Sequence, residues 1–165
     1  MSYKLFKAEC MNSLSPKHNN LFKPAITISR AYNNLVLNHL EPMTGGGKFL
    51  TGGFRIPLLI AGLQLVFEAQ RRNGWVPVNM FTLMAPIFKL YWQGNVAAGP
   101  TGVVIITNPG IFKGPKVPPN TNVDGFMKIF MGVLRVHIKT LSGSYTNFYT
   151  GVTTPWSGAL LRSLP

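Results

Sequence analysis

Apolar positions recur at helical spacing most strongly between Pro57 and Arg72, where Leu58, Leu59, Leu63, Val66 and Phe67 fall on or beside one stripe. Proline suits the first turn of a helix, and Arg71 and Arg72 stand in the last turn, where the macrodipole favours cations. A second apolar run covers 76–93, with Pro86 able to kink it or to restart a helix at Ile87. The two runs predict a helical hairpin over 56–93. Upstream, Ser29 is placed to cap a short helix that runs through Leu40 and stops at Pro42.

Beyond Gln93 the pattern changes. Gly94, Gly99, Pro100 and Gly102 break the chain, and the β-branched run 103–107 reads as a strand ended by Asn108-Pro109-Gly110. Residues 113–122 read as an extended loop. Over 126–140 the alternation of Leu134, Val136 and Ile138 with Arg135, His137 and Lys139 predicts a strand, then a turn at Ser142-Gly143 and a returning strand over 145–154. The expected fold is therefore α+β, a helical hairpin packed on a small antiparallel sheet from the C-terminal third. The rival is an all-β, jelly-roll-like sandwich with both apolar runs read as buried strands, since periodicity alone does not separate short buried strands from helices.

Residues 1–28 break the apolar pattern. Lys4, Lys7, Lys17 and Lys23 alternate with Tyr3, Phe6 and Phe22, and Pro16 and Pro24 forbid one continuous helix. The expectation is an extended basic arm over 1–28 and a single compact domain over 29–165. Roughly 7–15 consecutive apolar residues would mark a secretory leader, and the N-terminal stretch has no such run; its basic, Ser-containing character is compatible with organelle targeting.

Charge sharpens this picture. Sixteen Lys and Arg face only four acids (Glu9, Glu41, Glu68 and Asp124), for a net charge of +12. Such a field calls for an anionic partner, either nucleic acid or an acidic lipid surface, or for an acidic protein neighbour. The expected contacts are Lys4, Lys7, Lys17 and Lys23 on the arm and Arg135, His137 and Lys139 on one face of the predicted strand. Trp75, Trp92 and Trp156 are candidate interface aromatics. Only twelve residues run from Ile56 through Phe67 before Glu68, about 18 Å of helix against a ~30 Å hydrocarbon layer. An interfacial hairpin, with Trp75 and Trp92 at headgroup depth, is the membrane reading that survives.

Candidate chemistry is sparse. Thr44-Gly45-Gly46-Gly47-Lys48-Phe49 resembles a phosphate loop only in its glycines. Phe49 stands where the hydroxyl residue must be, and Pro42 where the first glycine must be. His18, His39 and His137 have no partners at metal-ligand spacing, and the lone Cys10 stands far from them. No metal, cofactor or small-molecule substrate is expected. The sequence reads as a non-enzymatic structural subunit bound to other protein subunits, first a virion coat or minor shell protein. Behind that reading stand an accessory subunit of an organellar membrane complex, a ribosomal or other RNA-binding assembly protein, and a small enzyme of unknown type.

Overall fold

A computed structural model of the chain describes residues 3–14, 22–50, 55–73, 79–118 and 120–162. Its helices are α1 (Tyr3–Ser13), α2 (Phe22–His39), α3 (Arg55–Arg72), α4 (Met80–Trp92) and α5 (Val123–Lys139). Its strands are β1 (Lys48–Leu50), β2 (Val96–Gly99), β3 (Gly102–Asn108), β4 (Ser142–Asn147) and β5 (Thr153–Ser157), and a short 3-10 turn covers Gly158–Leu160. The α+β class holds, and the all-β alternative does not, because both apolar runs of the hairpin are helical.

The helical hairpin forms where the 3.6-residue period placed it. Leu59, Leu63, Val66, Phe67 and Gln70 of α3 and Met80, Phe81, Met84, Phe88, Tyr91 and Trp92 of α4 are buried. Arg55 fixes the antiparallel pairing: its Nη1 donates to the carbonyls of Tyr91 (2.5 Å), Gln93 (2.9 Å) and Leu90 (3.3 Å). A guanidinium at the C-terminus of α4 satisfies carbonyls that have no partner within the helix. Gly62 of α3 lies against Ile87 of α4, so close that a Cβ there would stand 2.7 Å from Ile87 Cγ2.

The five strands form one antiparallel sheet in the order β1-β2-β3-β4-β5. Phe49, Ala97, Val104, Ile106 and Trp156 are buried, while Leu50, Ile105 and Pro155 are exposed. The edges are blunted: β1 has three residues, and β5 carries Pro155, which has no N–H to offer a further strand. The glycine-rich turn before β1 is a packing device. A Cβ on Gly47 would collide with Thr44 Oγ1 and come 2.9 Å from the Ala98 carbonyl, so only glycine lets this turn close on β2.

Four expectations are corrected. Residues 126–140 are not a strand but most of α5. Asn122 caps it, its side chain accepting from Gly125 N at 2.8 Å. Met127, Phe130, Met131, Leu134, His137 and Ile138 are its buried face, an i, i+3, i+4, i+7 pattern that outweighs six alternating residues. The N-terminal segment is not wholly extended, because Tyr3, Phe6, Cys10 and Ser13 recur at helical spacing and bury one side of α1 in the common core. The helix expected from Ser29 begins instead at Phe22, with Pro24 in its first turn, where no intrahelical N–H is needed. The returning strand is likewise displaced: Ser142-Gly143 opens β4, and the turn falls at 148–152.

Candidate anionic-partner surface

Helix α5 has two faces because it is helical. Opposite its buried stripe, Lys128, Gly132, Arg135 and Lys139 succeed one another at spacings of four, three and four residues, all exposed. Residues so spaced share one face, so the three cations track along about 17 Å of helix. Helix α1 lies beside this stripe. The Arg135 guanidinium sits over the Tyr3 ring, 5.3 Å from its centroid, and Phe6 meets Phe130 at 6.4 Å. Lys7 Nζ reaches Asp124 Oδ1 at 2.7 Å, and Lys128 Nζ reaches Asp124 Oδ2 at 2.8 Å.

Asp124 is thus a carboxylate shared by two ammonium groups from two helices. Hydrogen bonds from Lys128 and then Lys7 hold its pKa down to about 2. Lys128 in turn is raised above its ordinary value, chiefly by its hydrogen bond to Asp124. Among the described residues no carboxylate lies within ion-pair distance of Lys4, Arg135 or Lys139. Glu9 lies two residues beyond Lys7, about 200° around α1, and so faces away from the seam. The α1–α5 seam therefore carries Lys7, Lys128, Arg135 and Lys139 with one acid, and exposed Lys4 follows directly on Tyr3.

The structure treats the expected contact residues unequally. Lys4, Lys7, Arg135 and Lys139 are brought to this region, though through helix packing rather than strand alternation. Lys23 is exposed in the first turn of α2. Lys17 and Trp75 lie outside the described residues. Lys128 escaped the sequence reading, although its spacing of seven and eleven residues from Arg135 and Lys139 is a helical signal.

His137 is a correction. It is fully buried, with Phe112 at 5.2 Å and Phe88 at 6.3 Å meeting its ring at steep angles. Burial lowers its pKa to about 4, opposed by the Ile111 backbone and reinforced by the charge of Lys89. Neither ring nitrogen has a well-formed hydrogen bond among the described residues. At neutral pH it is an uncharged core residue and offers an anion nothing.

Trp92 and Trp156 are also core residues rather than surface aromatics. Trp92 is fully buried, and its Nε1 donates to the Tyr32 hydroxyl at 2.7 Å, while Phe49 packs edge-on against both tryptophans. Beside it the Tyr91 hydroxyl donates to Asn33 Oδ1 at 2.9 Å. Burial raises Tyr32 well above its ordinary pKa and raises the thiol of Cys10, an effect to which Glu9 adds. These groups hold the core together and are closed to solvent.

Among the described residues, no group of three or more His, Cys, Asp or Glu is placed to hold a metal ion. No described helix is long and apolar enough to cross a membrane. Compared with protein-family models, curated proteins and solved structures, the chain matches none.

Proposed function

We propose that this chain is a non-enzymatic structural subunit of a large assembly, a virion coat or minor shell protein, that holds an anionic partner against the α1–α5 surface. One observation carries the reading: Lys7, Lys128, Arg135 and Lys139 line a single helical seam that contains one carboxylate, itself already shared by two of them. A solvated surface intersperses both signs of charge, whereas this seam keeps a net positive field that polyanion phosphates neutralise with release of their counterions. The chain's net charge of +12 supports the same reading, because a dense assembly of like-charged subunits needs anions between them.

Other large side chains point to neighbours. Phe148, Tyr149 and Val152 are exposed at the β4–β5 turn, which is held in shape by Asn147 Oδ1 accepting from Tyr149 N at 2.8 Å and Thr150 N at 3.2 Å. Ordered exposed aromatics of this kind suit subunit contacts. The test is sedimentation of native material without detergent, followed by nuclease treatment of the heavy fraction. Recovery in a particle that forms without detergent and withstands nuclease is expected. Release only by detergent would replace this reading with that of an organellar membrane-complex subunit, and nuclease collapse of the particle would favour a ribonucleoprotein.

A further inference from the structure

The α3–α4 hairpin leaves an apolar face uncovered. Gly62 and Ile87 mark the seam where the helices touch. Leu58 precedes Gly62 by four residues and Leu65 follows it by three. Leu83 and Leu90 stand in the same relation to Ile87, so all four leucines flank the seam. Because the helices run antiparallel, Leu58 lies toward the Leu90 end and Leu65 toward the Leu83 end. Their exposures are 60% for Leu58, 71% for Leu65, 42% for Leu83 and 60% for Leu90, which puts them on the outer side. Exposed Ala61 and Pro86 lie on the same face.

The charges around this face decide what fits it. Every exposed charged residue of the two helices is a cation, namely Arg71, Arg72 and Lys89. The only acid, Glu68, is half-buried and stands 3.8 Å from Arg72. A second copy would bring another +12 chain against a face whose exposed charges are all positive, with only the half-buried Glu68 of each copy to answer them. An acidic lipid surface answers both features, since the leucines enter the acyl boundary while the flanking cations meet anionic headgroups. Neither helix crosses: α3, though 18 residues long, has Glu68 inside it, and no described helix meets the requirement for a span.

We infer that the α3–α4 hairpin is an in-plane docking face for an anionic lipid bilayer, with Leu58, Leu65, Leu83 and Leu90 as the inserted side chains. It is separate from the α1–α5 surface and does not depend on it. Trp92, being buried, is not its headgroup anchor.

The experiment is flotation of the full chain with phosphatidylcholine vesicles, with and without about one third phosphatidylserine. The expected result is flotation with the acidic vesicles and not with the neutral ones. The double variant Leu65→Gln/Leu90→Gln should lower the floated fraction at least about tenfold, since two inserted leucines are lost. In a Lys128→Gln/Lys139→Gln background, which weakens the α1–α5 surface, the leucine double variant should lower the floated fraction by the same factor. A second readout does not depend on those leucine variants: Leu83→Trp should shift its emission to the blue on acidic vesicles and be quenched by brominated acyl chains. Equal flotation of wild type and the leucine double variant would overturn the inference. So would an absence of emission shift, or a wild-type dimer that the same double variant splits, which would assign the face to a second copy.

Discussion

His137 ties the core to pH in a way that can be measured. An imidazole with an ordinary pKa of 6.5 is held at about 4 in the folded chain, chiefly by burial. In the unfolded chain it regains the ordinary value, so between those two pH values the unfolded state binds the extra proton. Stability then rises with pH across that window and is lost as pH falls from about 6.5 toward about 4. Each tenfold change in proton affinity corresponds to about 1.4 kcal/mol, so the loss reaches roughly 3 kcal/mol and levels off below the folded pKa. Asp124 does not confuse the result. Its pKa is lowered from 3.8 to about 2, so its contribution is full above its unfolded value and disappears only at still lower pH. The assay is urea unfolding at a series of pH values for wild type and His137→Leu. Replacing an imidazole that lacks well-formed hydrogen bonds with an apolar side chain should change stability at pH 7 by less than about 1.5 kcal/mol. The variant should, however, lose most of the wild-type pH dependence between about pH 6.5 and 4. Parallel pH profiles for the two proteins would refute the reasoning.

Three further substitutions probe the hairpin and the core. Gly62→Ala should destabilise by about 1–3 kcal/mol despite the ~1 kcal/mol gain in helix propensity, because its Cβ would crowd three Ile87 carbons; a rise in melting temperature would contradict that contact. Tyr32→Phe should cost about 1–3 kcal/mol in chemical denaturation by leaving Trp92 Nε1 buried without its acceptor. Arg55→Gln should cost about 1–2 kcal/mol and speed amide exchange at the C-terminal end of α4, where its guanidinium now meets three carbonyls.

The hairpin was legible in the sequence because α3 and α4 carry long apolar runs at a single period. Helix α5 was not, because residues 134–139 alternate apolar and polar, and a helix with buried His137 and exposed Val136 imitates a strand over that short window. The wider window, from Asn122 as cap to Lys139, carries the helical period throughout. Helix α1 is hidden by lysines and aromatics that alternate as in an arm, whereas Tyr3, Phe6 and Cys10 share one buried face, with Lys7 half-buried at its margin and Lys4 exposed. The sharing of Asp124 by Lys7 and Lys128 joins residues more than a hundred positions apart, which no local pattern contains. Alternation within the N-terminal segment and within residues 134–139 singles out Lys4, Lys7, Arg135 and Lys139 among the expected contacts, and tertiary packing is what makes neighbours of the two helices that carry them.

The most direct test of the anionic-surface proposal is the salt dependence of binding to a single-stranded oligonucleotide, compared between wild type and Lys4→Gln/Lys128→Gln/Lys139→Gln. Three lost phosphate contacts should reduce the slope of log affinity against log salt by about 2, with the melting temperature little changed. An unchanged slope and affinity in a folded variant would contradict the account.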